Sequence, residues 1–339
     1  MSVTIKDIAA LAGVSFSTVS LVLNGKASEN RISEDLEKKI IAIAKELNYR
    51  PNTLARSLRR GVTNTIGFVI SDVSNIFFIK LARYIEKVAM KYGYRVFFAS
   101  TDERDSKCIE VIDTFLNQQV AGLIIIPTQG LEEKINQLSN TKVPFVLVDR
   151  YFPKINANYV IMNNWQSSYD ATDYLIKKGK RRIATFSYAT DFFHMAERLD
   201  GYKAALKSNN IRFDKRLVLE VPFFDNDKRA ELLKEYIPHL VEDLKIDAIY
   251  FQTNSTAIPG IQILYERYIK EGKQISVICF DDNEFFKLLQ PPINSLLQPI
   301  EEMGIESVRI LIDEIKNKRS NRMKSKTVYS AKLVERYRV

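Results

Sequence analysis

Residues 4–24 read Thr4-Ile5-Lys6-Asp7-Ile8-Ala9-Ala10-Leu11-Ala12-Gly13-Val14-Ser15-Phe16-Ser17-Thr18-Val19-Ser20-Leu21-Val22-Leu23-Asn24. Thr4 and Asp7 have the spacing of a capping box, in which the first residue caps a helix and an acid three positions on returns the bond. Ile8, Leu11 and Ala12 then set an apolar stripe at helical spacing. Gly13 supplies the permissive backbone that closes such a helix. Ser15 caps a second helix with Val19, Val22 and Leu23 on its inner side. Two short helices joined by a tight Gly-containing turn form a helix-turn-helix unit. A third helix starts at Ser33 with Glu34 and Asp35 in its first turn, and Leu36, Ile40, Ile43, Ala44 and Leu47 close a small core. Any small helical bundle can share this pattern, so the DNA-binding reading draws its weight from residues 49–61.

Tyr49-Arg50-Pro51 is expected to end the third helix, because the residue before a proline is pushed out of the helical region. Next comes Asn52-Thr53-Leu54-Ala55-Arg56-Ser57-Leu58-Arg59-Arg60-Gly61, a capped, basic, amphipathic segment. It is shorter than the roughly 12 residues an isolated helix needs in water, so something else must order it, and DNA is the natural candidate. Residues 1–61 hold ten Lys/Arg against six Asp/Glu, and the whole chain of 339 residues carries a net charge of +9. The positive charge is therefore several times denser in the head, as phosphate contact requires.

These motifs, Thr4 to Ala9, Ala12 to Ser15 with Thr18-Val19-Ser20, Asn24-Gly25, and Tyr49 to Asn52 with Ala55 to Leu58, resemble the N-terminal domain and hinge of the lactose-repressor (LacI/GalR) family. The resemblance implies a DNA-binding domain over 1–50 and a hinge helix over 51–61. It implies DNA contacts from Thr4, Ser15, Phe16, Ser17, Thr18, Ser20, Leu21 and Asn24, with Phe16, Ser17 and Leu21 at base edges. In the hinge it implies Asn52, Ala55, Arg56, Leu58 and Arg59, with Leu58 as a minor-groove wedge. Leu21 departs from the family, which often has Arg or His there. A leucine cannot pair with guanine, though it can touch a thymine methyl.

After Gly61 the texture changes. Short apolar runs at 66–70, 95–99, 122–126, 145–149, 183–187, 248–252 and 276–280 alternate with amphipathic stretches such as 78–92, 106–118, 167–178 and 257–272. Strands alternating with helices imply parallel sheets covered on both faces, and this many units imply two α/β lobes with a ligand at the strand carboxyl ends between them. The body, 62–339, resembles the periplasmic-binding-protein type I fold. The expected class is thus α/β, with a helix-turn-helix domain and a two-lobed ligand domain. Lobe 1 is expected at about 62–162 and 292–325, and lobe 2 at about 163–291 and 326–339, with crossings near 162–163, 291–292 and 325–327.

The resemblance implies effector contacts from Phe77, Asp149, Met162, Arg198, Phe224, Asn254 and Asp281. Carboxylates and an amide suit vicinal hydroxyls, a guanidinium donates a planar fork, and an aromatic ring stacks on a sugar. A purely structural reading makes Arg198 and Asp281 a salt bridge across the cleft. Of the adjacent acids, Asp281 is expected to reach the ligand and Asp282 to hold a loop; Gly201, Tyr202 and Gly179 are expected to be structural. Ile76 stands where the family usually has Pro, Lys180 where it has His, and Cys279 where Gly is common.

No dinucleotide or nucleotide phosphate loop occurs, and His194 and His239 lack neighbouring metal ligands, so neither catalysis, cofactor nor metal is expected. Two cysteines suggest no disulfide framework. The polar N-terminus and the lack of a long apolar run point away from secretion and membranes and toward the cytoplasm. The expected function is sequence-specific transcriptional control, as a repressor, of a pseudo-palindromic operator by a homodimer that binds a small effector, a sugar or its derivative. A transport-type solute-binding protein is the alternative, disfavoured by the basic head. The strand-like end without a heptad tail favours a dimer over a tetramer.

Overall fold

The computed structural model describes residues 3–49, 63–223, 225–317 and 323–336. The hinge positions Asn52, Ala55, Arg56, Leu58 and Arg59, and also Phe224, lie outside the described residues. The chain divides into two compact units, residues 1–61 and 62–339.

The first unit holds α1 (Ile5–Ala12), α2 (Phe16–Leu23) and α3 (Glu34–Glu46). The Thr4 N–H and hydroxyl both donate to Asp7 Oδ2 at 2.8 Å. Gly13 closes α1 at φ 74°, and Ser15 Oγ accepts from the Thr18 N–H. The chain turns through 108° between α1 and α2, within the range of a helix-turn-helix. Ile8, Val19 and Ile40 are fully buried at the junction of the three helices. Two expectations fail here. Leu11 is 61% exposed, so the inner stripe of α1 is Ile8, Ala9 and Ala12. The third helix ends at Glu46, before Tyr49-Arg50-Pro51, and Asn48 takes a left-handed conformation at φ 48°.

The second unit runs β1 (Thr65–Ile70), α4 (Ile76–Lys91), β2 (Arg95–Ser100), α5 (Asp105–Asn117), β3 (Gly122–Ile125), α6 (Glu132–Ser139), β4 (Phe145–Val148) and β5 (Asn158–Met162). It continues through α7 (Asn164–Lys177), β6 (Ile183–Tyr188), α8 (Phe193–Ser208), β7 (Val218–Val221), α9 (Asn226–Glu242), β8 (Ala248–Phe251), α10 (Asn254–Leu264) and β9 (Ser276–Phe280). Last come β10 (Asn294–Leu297), α11 (Ile300–Asn317), β11 (Lys326–Tyr329) and β12 (Lys332–Val334). One sheet has the order β11-β5-β4-β3-β1-β2 and the other β12-β10-β9-β8-β6-β7. Ile66, Phe68 and Ile70 of β1 pack with α4 and α11, while Val69 packs with α5 and α6. Burial on both faces is why these strands read as unbroken apolar runs.

The lobe boundaries need correction. The segment 294–297, expected in lobe 1, belongs to the second sheet, where Ser295 pairs with Cys279. The segment 326–329, expected in lobe 2, belongs to the first, where Val328 pairs with Ile161. The chain crosses between lobes at 163, at 298–299 and at 330–331. The error has a simple origin: Pro291-Pro292 is the strongest local breaker, but it only precedes a strand that completes the second sheet.

Gly201 and Tyr202 hold α8 in place. The Tyr202 hydroxyl donates to the Ile183 carbonyl at 2.7 Å. A Cβ on Gly201 would lie 2.2 Å from the Trp165 carbonyl oxygen of α7. Gly201→Ala should therefore force the two helices apart and lower stability by about 1–3 kcal/mol in urea denaturation, as overpacking does; an unchanged midpoint would contradict this contact.

Candidate functional site

A cavity of about 530 Å³ lies between the lobes, lined by Phe77, Asp149, Arg198, Asn254 and Asp281 among others. It meets each sheet at the carboxyl ends of its strands, beside the positions where the strand order reverses, between β1 and β3 and between β6 and β8. Met162 does not reach it. That side chain is 1% exposed in the core of the first lobe, because it ends β5 facing α11 rather than the cleft.

Arg198 organises the floor. It sits in the second turn of α8. It is 5% exposed. Its Nε donates to Asn164 Oδ1 at 2.9 Å and an Nη to the Gln252 carbonyl at 2.6 Å. The guanidinium lies 3.5 Å above the centre of the Phe280 ring. No ion pair with Asp281 forms among the described residues, so Arg198 is not the cross-cleft salt bridge of the structural reading. Instead, Asp281 accepts from the Gln298 amide, whose residue lies in the second crossing. Asp282 takes the other role: it pairs with Arg336 at 2.7 Å and accepts from the Ser295 hydroxyl at 2.5 Å.

Asp149 and Asp281 both hold left-handed backbone, at φ 67° and 80°. Non-glycine residues there carry strain, and such residues cluster at functional sites. Burial pushes the Asp149 carboxyl up to about 6, although Arg150 and Arg198 pull the other way. Burial also raises Asp281 against the pull of Arg198. His194, which also lines the cavity, is held well below its ordinary value by burial and by the charges of Arg150 and Arg198, so it is neutral. The Asn254 amide nitrogen and Gln298 Oε1 are buried without a hydrogen-bond partner. Orphaned polar groups are costly, and in a cleft they mark places a ligand can satisfy.

Arg150, which with Asp149 follows β4, also lines the cavity. It is 7% exposed and makes a bidentate pair with Glu103 at 2.6 and 2.7 Å, a partner that sequence reasoning misses. Sequence reasoning also misses Gln298, Tyr188 and Arg229, whose neighbours in the cleft come from distant parts of the chain. Ile76 occupies the first position of α4, after the Asn75 cap. Proline fits there equally well because that N–H has no intrahelical partner.

In the first unit, Phe16 and Ser17 lie exposed on α2 and Asn24 lies exposed just beyond its end, with Ser20 and Leu21 half-buried on the same side. Val19 and Val22 point inward. Asn24 Nδ2 donates to the Ser20 carbonyl at 2.6 Å, and Thr18 Oγ1 lies 2.9 Å from Ser15 Oγ. Thr4, Ser15 and Thr18 thus serve the helix caps. Among the described residues no group of three or more His, Cys, Asp or Glu is arranged to hold a metal ion, and no single helix is long and apolar enough to cross a membrane. Both cysteines are buried and free.

Residues 4–52 match the model of bacterial regulatory proteins of the lacI family, and residues 172–337 match a periplasmic binding protein-like domain. The chain is 30% identical to catabolite control protein A of Priestia megaterium, covering 92% of each chain. It belongs to the lacI family. It is 32% identical to the ribose operon repressor of Escherichia coli strain K12 over 92% of this chain and 93% of that one. In fold it matches the crystal structure of the lac repressor dimer bound to operator and the anti-inducer ONPF, with a TM-score of 0.84, 24% identity, and coverage of 99% and 98%. The chain is accordingly a DNA-binding transcriptional regulator with an effector-binding body.

Burial of the Asp149 carboxyl ties its protonation to the stability of the folded protein. For a carboxyl raised on folding, the stabilising contribution is complete below the ordinary 3.8 and is lost as pH rises through about 6. Carboxyl carbon NMR of the ligand-free protein should give a midpoint near 6 for Asp149, moving higher still in Arg198→Gln. A normal midpoint, or a downward move in the variant, would contradict the assigned balance of burial and charge.

Proposed function

We propose that this lacI-family protein is a cytoplasmic homodimeric repressor whose hold on a pseudo-palindromic operator is set by a hydroxyl-rich effector, a sugar or sugar derivative, bound between the lobes. The observation that carries the reading is the donor and acceptor set around one cavity: the Arg198 fork, the carboxylates of Asp149 and Asp281, and the orphaned Asn254 amide. Vicinal hydroxyls both donate to carboxylates and accept from amides and guanidinium groups, which this mixture demands. Phe77 adds an apolar face, and Phe224 is proposed to add a second. The relatives named as ribose operon repressors support a sugar. The protein acts by binding, with no turnover, cofactor or metal.

The dimer is proposed to form through the outer edge of the first lobe. Phe97 and Phe98 of the edge strand β2 are 52% and 54% exposed, and Met90 at the end of α4 is 69% exposed. Apolar edges of this kind call for a partner. A second copy is the occupant, in keeping with the dimer of the lac repressor structure.

On DNA, α2 enters the major groove with Phe16, Ser17 and Leu21 at base edges. Ser20, Asn24, Thr4, Ser15 and Thr18 serve phosphates and caps. The hinge places Leu58 in the minor groove, with Asn52, Ala55, Arg56 and Arg59 along the backbone. Binding-site selection with Leu21→Arg should shift the preferred base by about 1–3 kcal/mol of discrimination, the worth of one bidentate contact. An unchanged preference would remove Leu21 from the base-reading face.

The cleft is tested by a thermal-shift screen of metabolites on the full chain, followed by calorimetry and operator binding. Arg198→Ala should weaken the effector found by about 10- to 150-fold, the equivalent of roughly 1.5–3 kcal/mol for a charged hydrogen bond. If the effector is an inducer, the variant stays on operator when effector is added; if a corepressor, it binds operator weakly throughout. Unchanged effector affinity would exclude Arg198 from the site.

A further inference from the structure

The cleft has a second chamber. A cavity of about 340 Å³ abuts the main one along a wall shared by Asp149, Arg150 and His194. Much of the partition is the Arg150 guanidinium, 4.2 Å from the centre of the Phe192 ring. Arg150 Nε is buried without a hydrogen-bond partner, and Asp149 Oδ2 is 3.6 Å away.

The walls of this chamber are unlike those of the main cavity. Four rings line it, Tyr151, Phe152, Phe192 and Phe193, with Ile161 and two prolines. They come from both lobes: Tyr151 follows β4, Phe193 opens α8, and their centroids are 5.6 Å apart in an edge-to-face contact. At the rim, the Gln129 amide donates to Asp191 at 3.1 Å and accepts from the Thr190 hydroxyl at 3.0 Å, so first-lobe and second-lobe loops are pinned together.

We propose that this chamber is a second subsite, which holds a flat uncharged ring carried by the effector. The inference rests on the sugar-effector reading of the main cavity and sharpens it: the effector has two units, a hydroxyl-rich one beside Arg198 and a ring beyond the Arg150–Phe192 partition. Aromatic walls favour a ring that presents an apolar face, either an aryl group or a second sugar ring. The volume is at the lower end of the roughly 300–1,000 Å³ of ligand pockets, which suits one ring and not a whole effector. Charge argues against an anionic group. Glu132, Asp149 and Asp191 line the chamber, and its one guanidinium, Arg150, is already doubly bonded to Glu103.

The test uses the full-length protein, with phenol as the aryl probe and methyl β-D-glucopyranoside as the sugar-ring probe, in calorimetric titrations of wild type, Phe193→Ala and Phe193→Tyr. Phe193 is 43% exposed and belongs to none of the buried clusters, so its replacement removes no core packing. At least one probe should bind wild type, about three- to tenfold more weakly in Phe193→Ala, with affinity restored in Phe193→Tyr. Which probe behaves this way identifies the ring as aryl or sugar. The proposal is overturned if neither probe binds, or if the alanine variant binds both as tightly as wild type. The same titrations on Arg198→Ala separate the two cavities, because Arg198 lines the main cavity and not the chamber: a ring probe held in the chamber keeps its affinity there while a screened effector loses it, so either reading can fail without the other.

Discussion

The buried guanidinium of Arg198 is the constraint around which the ligand cleft is built. A charge at 5% exposure is costly unless its donors are satisfied. Among the described residues it is held without an ion pair, by the Asn164 side chain, the Gln252 carbonyl and the face of Phe280. Each partner sits at the edge of an element of the second lobe: the first residue of α7, the segment after β8, and the last residue of β9. The close packing of α7 on α8 that Gly201 allows is what brings Asn164 within reach. This fixed charge adds to the burial and the Arg150 charge that hold His194 low, and it joins Arg150 in pulling Asp149 down and itself pulls Asp281 down, two carboxyls that burial drives upward.

A cleft in which carboxyls are strained, raised by burial and faced by orphaned amides offers a ligand both donors and acceptors. The crossings connect that chemistry to the rest of the body. Gln298 belongs to the second crossing and donates to Asp281, so a ligand that competes for Asp281 acts directly on a segment joining the lobes. Asp282, one residue on, ties the C-terminal Arg336 to β10. Adjacent acids thus divide between cleft and scaffold: Asp281, on left-handed backbone, lines the cavity, and Asp282 holds Arg336 and Ser295.

Much of this is legible in the sequence. The caps of α1 and α2, the inward Val19 and Val22, and seven strands appear as local patterns, since capping, periodicity and apolar runs are properties of neighbouring residues. Phe77, Asp149, Arg198, Asn254 and Asp281 are expected in the site by resemblance, and the structure brings all five to one cavity. What fails depends on distant pairing. The strand at 294–297 contains Asn294 and Ser295 and follows two prolines, so only its ladder with β9 marks it as core. Met162 carries no local sign of which side of β5 it faces. Leu11 obeys helical spacing, yet the three-helix core of the head closes without it. The Arg150–Glu103 pair spans 47 positions and has no sequence signature.

If the cleft and the operator are two sites of one equilibrium, their coupling is reciprocal: the factor by which effector changes operator affinity equals the factor by which operator changes effector affinity. The most direct measurement is therefore effector affinity by calorimetry with and without saturating operator, set beside operator affinity with and without saturating effector. The account predicts two equal ratios, both clearly different from one. Ratios of one, with effector bound in the cleft, would show that occupancy between the lobes does not reach the DNA-binding head, and would contradict it.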